Sequence, residues 1–283
     1  MDKGGARPAP VIKTTPLSDA RVNQVARITS AVGIPPPVTS TVRSVLQDRP
    51  STPLTAWGGV RSGAMELDEA LYTTRAMRRV RPDPIPLDVQ ARILDAAIRA
   101  PSGGNQQNWR FLLLDDPAKK AALAPLYQHA MGELWKSVYK AQLDAAHAAP
   151  DEPESIQILK VQRSAQWLAD HFEQIPLFLF PFSQHDPTGG SIYPAVWSAM
   201  LAARAEGVGS CLTALLQFFH PTETFEILGV PADQGWILSG TVSFGYPTGK
   251  WGVGGRLPVH HVSYRNSWGT DVGFEVPEPL WPG

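Results

Sequence analysis

The 283-residue chain is long enough for one large domain or two small ones. Hydrophobic residues make up 43% and charged residues 18%, as in ordinary globular proteins, and the formal net charge of −1 argues against a general nucleic-acid binder. The single cysteine, Cys211, excludes an internal disulfide and a cysteine-based metal centre. The opening MDKGGARPAP lacks the apolar core of a signal peptide, and no apolar run approaches the ~20 residues that a membrane helix needs. We therefore expect a cytoplasmic protein with neither a membrane nor a nucleic-acid partner.

The first 64 residues differ in composition from the rest of the chain. Proline is frequent there, with three in a row at positions 35–37, and hydrophobic periodicity is weak. Such a segment is typical of a flexible or surface-wrapping arm rather than of a second domain. The sequence therefore predicts an N-terminal extension over residues 1–64 and one domain over residues 65–283.

From Met65 onward, hydrophobic periodicity predicts helices that alternate with a few strands. The predicted helices cover residues 67–73, about 86–100, about 118–147, about 155–172, about 193–206 and a short part of 220–231. The predicted strands cover residues 111–114, 176–182 and 235–247, and residues 211–216 form either a strand or its continuation. This order predicts one central sheet flanked by helices, in the α+β or α/β class.

Four arginines fall within seven residues, at Arg75, Arg78, Arg79 and Arg81. Spacing alone favours a solvated basic face or a nucleic-acid patch. The alternative is an anion site, because a guanidinium group presents a rigid fork of donors that suits a phosphate or the polar edge of a ring. The spacing leaves both interpretations open.

The turn APSGGNQQNWRF, residues 100–111, is unusually rich in amide and hydroxyl groups. An ordinary polar turn, anchored in the core by its tryptophan, is the simplest interpretation. However, ordinary turns rarely contain so many donors and acceptors. Gly103 and Gly104 allow the backbone to approach a flat ligand, and Ser102, Asn105 and Gln107 supply polar groups, so the turn favours a planar heteroaromatic ligand.

The remaining motifs exclude several kinds of site. Residues 207–213, GVGSCLT, lack the strand-to-helix context of a dinucleotide fingerprint, and residues 245–255, GYPTGKWGVGG, are not a P-loop because Trp251 follows Lys250. The seven histidines form no zinc-protease motif, and no serine nucleophile elbow is present. We therefore predict neither a metal site nor a catalytic side chain, whereas Arg256 is a candidate phosphate ligand.

Three stretches together resemble the FMN-dependent nitroreductase family, over about Leu71 to Pro258. They are the arginine-rich TTRAMRRVRPDPIP; the helix and turn LDAAIRAPSGGNQQNWRF; and AARAEGVGS with VSFGYP and the later Arg256. The resemblance implies a three-layer α+β fold with a mixed, mainly antiparallel sheet between helices. It also implies a homodimer with two FMN sites at the subunit interface.

By the same resemblance, nine residues contact the flavin. They are Arg75 and Arg256 at the phosphate; one of Arg78 and Arg79 at N1 and O2; Pro101, Ser102, Asn105 and Gln107 in a turn from the second subunit; and Leu212 and Thr213 near N5 and O4. The spacing from Arg75 favours Arg79 and the spacing to Pro84 favours Arg78. The chain departs from the family pattern at Met77, where a serine is frequent, and at Asn108, which replaces a proline.

The resemblance implies an oxidoreductase in which NADH or NADPH passes a hydride to FMN. A nitroaromatic, quinone or related small-molecule acceptor then takes the electrons, in a ping-pong cycle. Two alternatives stay open. One is a flavin-binding or flavin-sequestering protein without turnover. The other is a different flavin enzyme on the same fold, such as a dehalogenase, a heterocycle dehydrogenase or a flavin-cleaving enzyme.

Overall fold

The computed structural model describes residues 65–281, so the predicted arm over residues 1–64 lies outside the described residues. The helices in this range are α1 (Leu67–Thr73), α2 (Leu87–Ala97), α3 (Pro117–Lys136), α4 (Lys140–Ala148), α5 (Pro153–Asp170), α6 (Ile192–Ala205), α7 (Leu215–Phe219) and α8 (Pro221–Leu228). The strands are β1 (Trp109–Leu114), β2 (Leu177–Ser183), β3 (Gly209–Thr213), β4 (Ile237–Leu238) and β5 (Thr241–Gly245).

The five strands form one sheet in the order β1-β2-β5-β3, with β4 beside the end of β2. Each pair of strands is antiparallel, and a parallel bridge joins Ala76 to Ser210 at the β3 edge. The chain is therefore α+β with a mixed, mainly antiparallel sheet, which confirms the predicted fold class. β1 and β3 lie at opposite edges of the sheet.

Helices cover both faces of the sheet because the side chains of its central strand alternate. Phe178 and Phe180 of β2 pack into one core with α3 and α5, whereas Leu177 and Leu179 pack into a second core with α2 and α6. β2 is buried along its whole length. The predicted α2 stripe is also confirmed, with Val89, Ile93 and Ala97 buried. Two cores on either side of one sheet give the three layers.

Two predicted elements are each divided in the structure. The helix predicted over residues 118–147 is interrupted at Ser137, whose hydroxyl donates to the Glu133 carbonyl at 2.6 Å, and the chain resumes as α4 from Lys140. The strand predicted over residues 235–247 is interrupted at Gly240, whose φ of +141° breaks the extended course and separates β4 from β5. β1 starts at Trp109 rather than Phe111, and α2 starts after Pro86 rather than on it.

No helix between residues 65 and 281 is long and apolar enough to cross a bilayer.

Candidate active site

The arginine segment, residues 74–81, runs in an extended course along the β3 edge of the sheet. The Met77 N–H donates to the Ser210 carbonyl at 2.9 Å, and the Arg81 N–H donates to the Tyr246 carbonyl at 2.8 Å. The first bond holds the middle of the segment on β3, and the second holds its C-terminal end just after β5.

Two glycines allow this close approach. A Cβ atom on Gly209 would lie 2.7 Å from the Cβ of Met77, and one on Gly245 would lie 2.7 Å from the Cβ of Val80. Real Cβ atoms do not approach one another so closely, so larger residues at these positions would displace the segment. The glycines of AARAEGVGS and VSFGYP therefore position the arginines.

Side chains alternate along the arginine segment, with Met77 and Val80 buried, Arg78 half-buried and Arg79 exposed. The Arg78 guanidinium lies beside the Cys211 thiol on β3. Burial raises the pKa of this thiol, and the hydrogen bond and charge of Arg78 partly oppose that rise. Arg78 is thereby directed at β3.

Tyr127 reaches the same place from α3, beneath β3. Burial raises the pKa of its phenol, and the neighbouring Thr213 hydroxyl and the charge of Arg78 partly oppose the rise. Within the described range, the Tyr127 hydroxyl and the Thr241 hydroxyl are buried without a well-aligned hydrogen-bond partner. Arg78, Cys211, Thr213 and Tyr127 thus form a polar cluster at the end of β3. The sequence motifs contain no signal for Tyr127, because a tyrosine inside a helical stretch predicts only a core residue.

Arg79 points elsewhere. Its side chain lines a cleft against α5, together with Arg163 and Trp167. Arg78 and Arg79 therefore leave the segment on different sides.

Arg75 and Arg256 lie at the surface near the other end of the segment. Nη2 of Arg75 donates to the Lys250 carbonyl at 2.7 Å, and Nη1 of Arg256 donates to the Gly255 carbonyl at 2.8 Å. Arg256 and Thr74 line one cleft of about 820 Å³, and the Thr74 hydroxyl is buried there without a partner in the described range. This end of the site combines exposed guanidinium groups with an unsatisfied hydroxyl.

A buried arginine that the motifs did not predict connects the elements that surround Arg75. Arg204 of α6 donates to the Thr73 hydroxyl at 2.9 Å and pairs with Glu69 of α1 at 3.0 Å. Its guanidinium carbon also lies 4.1 Å from the ring centroid of Trp251. Arg204 therefore fixes α1 and the Lys250–Trp251 segment on either side of Arg75. The available signal was an arginine within a helix of small apolar residues.

The amide-rich turn adopts an unusual backbone. Asn105 and Gln107 have φ values of +53° and +52°, in the left-handed region that non-glycine residues rarely occupy. The Ser102 hydroxyl accepts a hydrogen bond from the Gln107 N–H at 3.2 Å, and the Ser191 hydroxyl accepts one from Gly103. Pro101, Asn105 and Gln107 are exposed and Ser102 is half-buried. Strained, exposed polar residues of this kind cluster at functional sites.

The structure does not bring this turn and the arginine segment together within one chain. The turn leads into β1, and the arginines lie along β3, at opposite edges of the sheet. Three strand spacings of about 4.8 Å each separate the two edges by roughly 14 Å. Leu212 and Thr213 lie on the arginine side, at the end of β3, where Leu212 is 38% exposed.

The family model of the nitroreductase family matches residues 71–246 of the chain, which include the arginine segment, the turn and β3. The protein belongs to the nitroreductase family. As a member of this family it is a flavin oxidoreductase. Among the residues that the structure describes, no group of histidine, cysteine or acidic side chains could hold a metal ion.

Proteins that are named for different activities are similar to this chain in sequence or in structure. A NADH dehydrogenase of Thermus thermophilus is 29% identical over 204 residues, which cover 70% of this chain and 95% of the relative. A 5,6-dimethylbenzimidazole synthase of Rhodobacter capsulatus is 29% identical over 195 residues, which cover 63% of this chain and 84% of the relative. The crystal structure of an iodotyrosine deiodinase bound to FMN and 3-iodo-L-tyrosine aligns with a TM-score of 0.53 at 22% identity, over 66% of this chain and 93% of that one. The family is thus established, whereas the relatives differ in the reactions for which they are named.

Proposed function

We propose that two copies of this nitroreductase-family chain hold FMN at their interface and use NADH or NADPH to reduce a small-molecule acceptor. The observation that supports this most is the position of Arg78. It is the arginine of the segment that faces β3, where it joins Cys211, Thr213 and Tyr127 in one polar cluster.

The donor set fits the phosphate of FMN. Arg75 and Arg256 present exposed guanidinium groups that hydrogen-bond only backbone carbonyls in the described structure, and the Thr74 hydroxyl lies unsatisfied beside the Arg256 cleft. A phosphate between the two guanidinium groups would satisfy both, because guanidinium donors are usual phosphate ligands. Arg204, by fixing both walls around Arg75, would position the set without touching the phosphate.

The polar cluster on β3 fits the ring of the flavin. Arg78 would place a fixed positive charge at the N1–O2 edge, where negative charge accumulates on reduction. Leu212 and Thr213 would present backbone N–H and hydroxyl groups towards N5 and O4, with Leu212 forming an apolar wall. Arg79, which faces α5, would not contact this edge.

The amide-rich turn and the arginine segment lie at opposite edges of the sheet, and this arrangement fits a homodimer. Pro101, Ser102, Asn105 and Gln107 lie at the sheet edge opposite to Arg78 of the same chain, so we assign the turn to the site of the partner. Ser102, Asn105 and Gln107 would supply polar contacts at the ring edges, and Pro101 would pack against it.

Bound FMN would supply the redox chemistry, accepting a hydride from the nicotinamide and passing two electrons to the acceptor. The chain would bind and orient the ring, stabilise charge with Arg78 and leave one ring face open. The nicotinamide and the acceptor would occupy that face in turn, which gives ping-pong kinetics. We assign no catalytic side chain, because this scheme needs neither a nucleophile nor a base from the protein.

The purified protein, saturated with FMN, should lose its yellow absorbance when NADPH or NADH is added under argon, and should regain it when a quinone or nitroaromatic acceptor follows. A control with the nicotinamide and FMN but no protein should bleach far more slowly. Persistence of the yellow band with both nicotinamides would contradict reductase function and leave a flavin-binding protein.

Synthesis of 5,6-dimethylbenzimidazole is a second candidate function, which the relative from Rhodobacter capsulatus favours. The two candidates differ in the fate of the cofactor, since a reductase regenerates its FMN in each cycle. Chromatography of an aerobic reaction with excess nicotinamide would distinguish them, because accumulation of 5,6-dimethylbenzimidazole with loss of FMN would replace the reductase proposal.

A further inference from the structure

A second cationic cleft lies between the arginine segment and α5, beside the proposed flavin site. Its volume is about 450 Å³, within the range of small-molecule sites. The residues that line it are Arg79, Gln162, Arg163, Gln166, Trp167 and Asp170. We propose that this cleft binds the 2′-phosphate and adenine of NADPH, so that the enzyme selects NADPH over NADH. This inference rests on the reductase function proposed above.

The two guanidinium groups of the cleft lack an acidic partner. Within residues 65–281, no carboxylate forms an ion pair with Arg79 or Arg163, whereas Arg81 pairs with Asp83 at 3.1 Å. Asp170, the acidic residue of the cleft, accepts a hydrogen bond from Gln166 at 2.8 Å. The cleft therefore keeps a net positive charge, and two guanidinium forks facing one space are suited to a phosphate.

The opposite wall of the cleft is held in place and partly aromatic. The Gln166 carbonyl oxygen accepts from the Trp135 indole N–H at 2.9 Å while its amide nitrogen donates to Asp170. The Trp167 ring stacks on His171, with the centroids 4.2 Å apart and the planes 11° apart. A half-buried indole beside two arginines offers an adenine base a planar apolar surface.

The place of the cleft fits a ligand that also reaches the flavin. Arg79 follows Arg78 directly, and the two side chains leave the segment towards α5 and towards β3. A molecule whose phosphate lies between Arg79 and Arg163 can therefore extend past the segment towards the open face of the ring. NADPH and NADH differ only in the 2′-phosphate, so a cleft that binds this phosphate would favour NADPH over NADH.

Two isomeric adenosine nucleotides, each with two phosphate groups and of similar charge, allow binding in the cleft to be tested without turnover. Isothermal titration calorimetry of the FMN-loaded protein should show that adenosine 2′,5′-bisphosphate binds at least tenfold more tightly than adenosine 5′-diphosphate. Arg163→Ala should reduce this preference to less than about twofold, since it removes one of the two phosphate-binding forks. Lys160→Ala, which removes an exposed cation from the same helix but not from the cleft, should preserve the preference.

Steady-state kinetics supply the second readout. Arg163→Ala should raise the KM for NADPH about tenfold, change the KM for NADH less than twofold and leave flavin content unchanged. Equal binding of the two isomers by the wild-type protein, or an Arg163→Ala effect confined to the acceptor KM, would overturn the NADPH assignment. Failure of both nicotinamides to bleach the flavin would instead contradict the reductase function. Because the calorimetric preference is measured without turnover, it distinguishes failure of the reductase function from failure of the NADPH assignment.

Discussion

Arg78→Ala is expected to raise the Kd for FMN about 10- to 100-fold and to slow flavin reduction about 100-fold. The affinity loss follows from removing a hydrogen bond to a charged or polar ring edge, which contributes about 1.5–3 kcal/mol. The rate loss follows because a fixed charge beside a site of developing negative charge lowers the barrier by an amount of the order found for oxyanion-hole donors. Equilibrium dialysis of FMN and stopped-flow reduction under argon measure the two effects.

Arg81→Ala is the matched control for this variant. Arg81 belongs to the same segment, but it is exposed, pairs with Asp83 at 3.1 Å and lies over Tyr246 on the other side. Its removal should change FMN affinity less than about twofold. Arg78→Lys should fall between the two, because it keeps the charge and loses the fork. Equal losses for Arg78→Ala and Arg81→Ala would show that the segment acts through general charge and not through Arg78.

Trp109→Ala is expected to lower the free energy of unfolding by about 3–5 kcal/mol, the usual cost of removing a buried large aromatic side chain. Trp109 is 5% exposed and starts β1 opposite Ser183, within the core formed with α2 and α6. In a domain of this size the melting temperature should fall by about 10 °C. The turn should also lose its anchor, since the buried indole of Trp109, the residue that follows the turn, would no longer hold it on the core.

Trp109→Phe tests whether the loss of buried apolar surface accounts for the effect of Trp109→Ala. Phenylalanine keeps most of the buried apolar surface, so it should cost roughly 1.5 kcal/mol or less. Thermal unfolding followed by circular dichroism compares the two variants. If Trp109→Ala melts within about 2 °C of the wild type, Trp109 does not anchor the turn and the packing account is wrong.

The sequence predicted the buried elements well because their periodicity reflects burial. The α2 stripe and β2 occur where hydrophobic periodicity predicts them. The division between β4 and β5 was not predicted, because Gly240 adopts a backbone conformation that the letters around it do not require. The break after Lys136 was not predicted either, because neither proline nor glycine stands at residues 137–139.

For the proposed site, the sequence indicated candidate residues but not the directions of their side chains. The spacing to Pro84 favours Arg78 and the spacing from Arg75 favours Arg79, whereas the bonds of the segment to Ser210, Tyr246 and Thr248 fix the side that each arginine takes. Arg204 and Tyr127 contribute through contacts between elements distant in the chain, which no local pattern records. The assignment of individual residues to FMN stays a prediction.

A mixed dimer tests the central claim most directly, namely that each flavin site combines the arginine segment of one chain with the turn of the other. One chain carries Arg78→Ala and the other carries Ser102→Asp with Asn105→Asp, which places two carboxylates in the turn. Each variant alone should form a dimer that loses FMN on dialysis. Mixed dimers, isolated with two different affinity tags, should retain about one FMN per two chains, because one of their two sites is built from unaltered halves. Mixed dimers without flavin, or a wild-type protein that binds FMN as a monomer, would contradict the account.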